Sequence, residues 1–338
     1  MTIKFTNSKK VYRFIAALIF LTIVSLIFWP QNFKNYDKKI LIKPGASLSL
    51  ISNILVKENI VSNKPTFILA AKILGKEKKI PIGSFTLKNA KTNYAIINQL
   101  VSSKQEIKQI KILEGWNILQ ISYELNKVLG FRIDDLIALS KNKIFLMNNN
   151  IDAKSIEGYL FPDTYKVFAG DTPSSIFNLL IEEHNNFWID KYIKRAKQLK
   201  LTRHEIITLA SIIEGEAIHD DERAKISGVY HNRMKLNMKL QADPTIQYII
   251  KDGPRRLLNK DLRIDSPYNT YLYLGLPPGP INSPGRNSLI AALFPEKNDF
   301  IFFVAKGDGY HTFTTNEREH NIAKRNLQKI RRKLKKKK

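Results

Sequence analysis

Apolar and polar positions change rhythm several times along this chain of 338 residues. From Phe14 to Trp29 every position is apolar except Thr22 and Ser25. The run is slightly shorter than the roughly 17 to 25 residues of a spanning helix, and Tyr12, Trp29 and a snorkelling Arg13 complete its two interfaces. It ends in Trp29-Pro30-Gln31-Asn32-Phe33, which offers no small-x-small cleavage site, so the pattern predicts an uncleaved anchor rather than a signal peptide. Lys4, Lys9, Lys10 and Arg13 precede the run and predict a cytoplasmic N-terminus with an extracytoplasmic body.

Between Lys39 and Lys104 the pattern reads strand, helix, helix, strand. A strand at Lys39–Ile42 leads to a Pro44-Gly45 turn, then to apolar spacings around Leu48, Ile51 and Leu55 and around Phe67, Ala70 and Leu74. An extended stretch from Ile80 to Leu87 closes it. Residues Ile107 to Asn149 repeat the theme, with a strand to Leu113, a turn at Glu114-Gly115 and helices starting near Asn117 and Asp134.

Beyond Glu157 long helical patterns take over at Thr172–Lys197, Thr202–Ala217 and Asp220–Leu236, and Thr202-Arg203-His204-Glu205 is a capping box. Proline and glycine interrupt Gln241 to Gly285, which reads as a long functional loop. Two strands, Phe300–Ala305 and His311–Thr314, flank Gly307-Asp308-Gly309 before a last basic helix. These patterns predict an α+β chain: an N-terminal transmembrane helix, small α/β modules, then a mainly helical working domain with a few short strands. The expected divisions are 1–13 cytoplasmic, 14–30 membrane helix, 31–38 linker, 39–105 and 106–153 small modules, 154–330 the working domain, and 331–338 basic tail.

Composition adds little to this. Hydrophobic residues make up 43% of the chain, enough for packed cores, and the absence of cysteine removes disulfides and thiolate metal sites. A net charge of +25 suits an anionic polymer or lipid surface, but no nucleic-acid motif accompanies it, so nucleic acid is not an expected partner.

The helix Ile206–Ala217 ends in two carboxylates, Glu214 and Glu216. At about 100° per residue they point roughly 160° apart, so they cannot flank one glycosidic bond as a two-carboxylate pair. Helix periodicity alone makes Glu214 a solvent-edge residue. Asp243, in the loop, is the candidate second carboxylate. His204-Glu205 begins like a metalloprotease motif, but Thr208 stands where its second histidine belongs, and His219-Asp220-Asp221-Glu222 reads as a helix cap and first turn. No metal or cofactor is implied.

Six separated segments resemble the endolytic murein transglycosylases of the MltG/YceG type: Glu157 to Tyr165 (EGYLFPDTY), Leu209 to Ala217, Leu240 to Thr245 (LQADPT), Ser266 to Ile281, Gly309 to Phe313, and Glu319-His320-Asn321. The stretch 39–105, with Pro44-Gly45-Ala46-Ser47, is similar to that family's LysM-like module. The resemblance implies a single-pass inner-membrane enzyme that cleaves nascent peptidoglycan between N-acetylmuramic acid and N-acetylglucosamine, forming 1,6-anhydro ends and terminating strand elongation. It implies Glu214 as the catalytic acid and base, and Gln241, Asp243, Tyr268, Asn269 and Tyr271 as glycan contacts. Membrane lipid and peptidoglycan synthases are the other implied partners. A two-carboxylate muramidase and a noncatalytic wall-binding membrane protein stay open as alternatives.

Overall fold

A computed structural model of the chain describes residues 8–30, 35–42, 45–81, 83–102, 107–251 and 253–336. Lys4, residues 31–34 of the expected linker, Pro44 of the expected turn and residues 337–338 of the basic tail lie outside them. The chain divides into two compact units, residues 1–108 with 166–172, and residues 109–165 with 173–338.

The first unit opens with helix α1 (Ser8–Phe28), whose Lys10–Phe28 stretch is long and apolar enough to cross a membrane. Strand β1 (Asp37–Ile42), helices α2 (Leu48–Lys57) and α3 (Lys64–Ile73), strand β2 (Gly83–Lys88) and helix α4 (Asn93–Ser102) follow. The strands pair antiparallel with Ile40 opposite Phe85, and their inward residues Ile40, Ile42, Phe85 and Leu87 meet Ile51, Leu55, Phe67 and Ile96 in one core. Ser47 and Asn63 cap α2 and α3 by accepting from Leu50 N and Thr66 N, each satisfying a helix N–H that would otherwise lack a partner. The strand begins at Asp37, so the last two residues of the expected linker are already in the sheet. The sequence reading did not anticipate α4.

Strands β3 (Ile107–Lys111) and β4 (Thr164–Phe168) form a second pair. In the second unit follow α5 (Ile118–Leu129), α6 (Ile133–Ser140), α7 (Lys143–Asn148), α8 (Pro173–Phe187) and α9 (Asp190–Leu199). Then come α10 (Arg203–Glu216), α11 (Asp220–Lys235), α12 (Asp243–Ile249), α13 (Arg286–Leu293), the hairpin β5 (Phe302–Ala305) and β6 (His311–Thr314), and α14 (Glu317–Lys336). The expected capping box at Thr202 and Glu205 is formed.

Two differences from the sequence reading have local causes. The pattern Thr172–Lys197 breaks at Trp188-Ile189 into α8 and α9, and the break allows Phe187 to stack on Tyr192 at 4.7 Å. Residues 109–153 group with the C-terminal helices rather than standing apart. Gly115 N donates to Ser283 O, Ser283 N donates to Trp116 O, and Glu157 accepts from Ile118 N at the start of α5.

Candidate active site

Helix α10 is the central element of the second unit, packed against α11, α12 and α13. Every residue from Ile206 to Ile213 is buried, so the helix has no exposed face between its first turn and its last. There Glu214 and Glu216 leave the helix in different directions, as the 100° step requires, and enter different surroundings.

Glu214 is enclosed, with only 6% of its side chain exposed. Its Oε1 lies 3.2 Å from Arg223 Nη1, and its Oε2 accepts from Gly285 N at 2.9 Å, the N-cap of α13. Arg223 also binds Asp220 Oδ1 at 2.7 Å and donates to Ser288 Oγ at 2.5 Å. This network joins α10, α11 and α13 through one carboxylate. Nearby, burial and the Glu214 charge raise the Glu114 carboxyl above its ordinary range.

Glu216 faces a cleft of about 410 Å³ lined also by Arg233, Gln241, Asp243, Tyr271, Phe303, His311, His320, Lys324 and Arg331. The Tyr230 hydroxyl donates to its Oε1 at 3.0 Å. Desolvation and the neighbouring Asp243 charge push the Glu216 carboxyl up to about 7, against the lowering effects of Tyr230, Arg233 and the Asp243 backbone N–H. Asp243 opens α12 and accepts from the Tyr271 hydroxyl at 2.5 Å. The approach of the two elements depends on Gly215: a Cβ there would lie 2.6 Å from Pro244 Cβ.

The structure therefore distributes the expected site residues unevenly. Gln241, Asp243 and Tyr271 line one cleft, and the glutamate they share it with is Glu216, not Glu214. Tyr268 is not among the lining residues of that cleft; its ring lies 5.0 Å from Tyr248. Asn269 is fully buried, its Nδ2 donating to Leu262 O and Ile264 O and its Oδ1 accepting from Tyr271 N. Its amide fastens the loop that carries Tyr271 rather than offering itself to a ligand.

Several cleft residues escaped the sequence reading. Arg233 is held by Ile301 O and Leu240 O, and its guanidinium lies 5.4 Å from the centre of the Phe302 ring. His311 Nδ1 lies 2.8 Å from Glu222 Oε2, and His311 N donates to the other oxygen, so Glu222 orients a cleft histidine rather than only favouring a helix terminus. Lys324, Leu327 and Arg331 form a wall from the last helix. The available signal was the motif set itself, because His311 and His320 stand in the two C-terminal segments that carried the resemblance. Among the described residues no group of three His, Asp or Glu side chains is arranged to hold a metal ion.

The sequence profile of the YceG-like family matches residues 40–326. A Bacillus subtilis (strain 168) protein named endolytic murein transglycosylase is 36% identical over 299 residues, covering 84% of this chain and 82% of the relative. A Streptococcus pneumoniae (strain D39) protein of the same name is 33% identical over 176 residues, covering 50% of this chain and 32% of that much longer relative. A crystal structure of a yceG-like protein from Listeria monocytogenes superposes with a TM-score of 0.59 at 29% identity, over 85% of this chain and 99% of the other.

Proposed function

This chain belongs to the YceG-like family, and on that premise we propose that it is a membrane-anchored endolytic peptidoglycan lytic transglycosylase in which Glu216 is the proton-transfer residue. The single observation that carries the assignment is the convergence of Glu216, Asp243, Gln241 and Tyr271 on one cleft, with the Glu216 carboxyl raised to about 7. A carboxylic acid near neutrality is matched to donating and then accepting a proton. Glu214, ion-paired to Arg223, suits a structural role instead.

In this reading the Glu216 acid protonates the oxygen linking C1 of N-acetylmuramic acid to N-acetylglucosamine. As that C1–O bond breaks, the carboxylate takes the proton from the muramic-acid C6 hydroxyl, and O6 closes on C1. One bond is broken and one formed, no water is consumed, and Glu216 ends protonated as it began. An internal nucleophile needs no second base, and holding O6 near C1 supplies the proximity advantage of an intramolecular reaction. Tyr230 fixes the carboxyl by its hydrogen bond to Oε1. The Asp243 charge favours the positive character developing at C1. Gln241 and Tyr271 supply hydrogen bonds and an aromatic face for the sugars.

A second reading has its own support, because Asp243 lies in the same cleft and Glu216 feels its charge. With Asp243 activating water the products would carry reducing ends. Mass spectrometry of digested strands distinguishes the two, since the lytic reaction leaves anhydro-muramic ends. Glu216→Gln is expected to lower turnover by about 10²- to 10⁴-fold, the usual contribution of a positioned acid. Glu214→Gln is expected to melt earlier yet cleave while folded. A folded Glu214→Gln protein without activity beside an active Glu216→Gln protein would overturn the assignment.

The order β1–α2–α3–β2 supports our reading of the first unit after α1 as a LysM-like glycan-binding module. Helix α1 serves as a single-pass anchor in the inner membrane. The basic residues before its apolar run support a cytoplasmic N-terminus, so that cleavage takes place outside, beside the synthases that extend the nascent strand.

A further inference from the structure

The apolar helix α1 does double duty in the first unit. Ile27 is a member of that unit's core, only 6% exposed, and Ile23 and Leu26 pack against the same cluster. These positions, i, i+3 and i+4, form one stripe of the helix. Asn93, fully buried at the start of α4, donates through Nδ2 to Leu26 O at 2.9 Å. Pro30 bridges to Thr92, and the Phe28 and Tyr94 rings lie 5.2 Å apart. The module is thus fastened along the last turns of the helix rather than hung below it.

Length then sets the depth. The 19 residues Lys10–Phe28 extend about 28 Å at 1.5 Å per residue, barely the roughly 30 Å of a hydrocarbon core. The part before Ile23 extends only about 20 Å and cannot cross alone. If α1 spans, the turns that the module grips are themselves within the outer leaflet.

Helix α3 lies on this side of the module, since Thr66 shares a cavity with Thr22, Ser25, Leu26 and Trp29. Leu69 and Ile73, three and seven residues beyond Thr66, project from the same flank at the helical spacing and are 47% and 43% exposed. Around the end of α1, Phe28, Trp29 and Tyr94 are likewise exposed, a cluster of aromatic side chains of the kind that occupies membrane interfaces. Lys72, exposed beside Ile73, has the reach to place its ammonium among phosphates.

We propose that the first unit is seated in the outer surface of the bilayer, with the α3 flank bearing Leu69 and Ile73 in contact with lipid. This rests on the reading of α1 as a membrane helix. It makes the module a depth-fixed platform, not a tethered domain.

The absence of cysteine permits a direct test on the full chain in nanodiscs of phosphatidylethanolamine and phosphatidylglycerol. Leu69→Cys, Ile73→Cys, Leu18→Cys within α1 and Ile144→Cys on the second unit would each carry an environment-sensitive fluorophore, with lipids spin-labelled on the acyl chain as quenchers. All four side chains are exposed in the fold, so labelling leaves the cores intact. The expected result is blue-shifted, lipid-quenched emission at positions 18, 69 and 73, and emission at 144 that responds only to aqueous iodide. Quenching at 18 with 69 and 73 behaving like 144 would overturn the seating. An unquenched probe at 18 would overturn the membrane reading beneath it.

Discussion

Two residues apart on α10, Glu214 and Glu216 have nearly opposite environments, and the difference has a thermodynamic signature. Glu216 titrates near 7 when folded and near the ordinary carboxylate value of 4.5 when unfolded. Between those values the folded state holds a proton that the unfolded state has lost, so this group reduces stability as pH rises from about 4.5 to about 7, by on the order of 3 kcal/mol. Glu216→Gln removes the penalty. The variant is expected to melt above the wild type at pH 8, with the difference closing near pH 4.5, in thermal scans followed by circular dichroism. Catalysis runs the other way: the rate should fall about tenfold per pH unit well above pH 7 as the acid is lost. A wild-type profile still rising through pH 8 would contradict Glu216 as the acid. The hydrophobic pattern alone does not separate the two glutamates, for a physical reason. The spacing correctly sends them apart, but α10 is buried on all sides over Ile206–Ile213, so its hydrophobic pattern has no phase from which to tell the groove side from the core side.

At the scale of elements, the signals that worked were local ones. The capping box at Thr202 and Glu205 located the start of α10, and the turn Gly307-Asp308-Gly309 separated β5 from β6. What stayed hidden depended on long-range contact: α12 is a short helix inside Pro- and Gly-broken sequence, α13 is a short helix directly after it, and the basic α14 gives no sign that it walls a cleft. The junction of α10 with α12 is the most sensitive of these contacts. Gly215→Ala would drive a methyl into Pro244, and relief by backbone shift costs about 1 to 3 kcal/mol. It also moves Asp243 from Glu216, so turnover should drop more than substrate affinity, which a separation of kcat from KM would reveal. On the opposite wall, Lys324 and Arg331 lie seven residues apart on one face of α14. In a peptide-bearing strand the lactyl carboxyl of each N-acetylmuramic acid is tied up as an amide, so the carboxylates of such a strand are on its peptide stems. Replacing both residues with Gln is expected to weaken binding of peptide-bearing strands, to reduce its salt dependence, and to leave binding of an uncharged N-acetylglucosamine oligomer unaffected. Equal loss on both substrates would show that the wall supports the fold and does not read charge.

For the whole molecule, the separation into two units means that removal of α1 should be felt unequally. The sequence makes α1 an autonomous span followed by a linker, because hydropathy reports what a helix is soluble in and not what it packs against. In the fold, Ile23, Leu26 and Ile27 complete the first unit's core, and Leu26 O satisfies buried Asn93. Deleting residues 1–28 uncovers that apolar surface at about 1.5 to 3 kcal/mol for each side chain that was fully buried. It also leaves the Asn93 amide without this acceptor, at about 1 to 3 kcal/mol more. A marginally stable module of this size cannot absorb such a loss without opening more often. Hydrogen exchange followed by mass spectrometry should therefore show the β1–β2 ladder exchanging much faster in the truncated protein than in the full chain in detergent. The amides of α10, buried in a core that α1 does not enter, should exchange alike in both. If β1 and β2 kept their full protection after truncation, the contribution of α1 to that core would be negligible, and the truncated fragment would be a faithful substitute for the full chain.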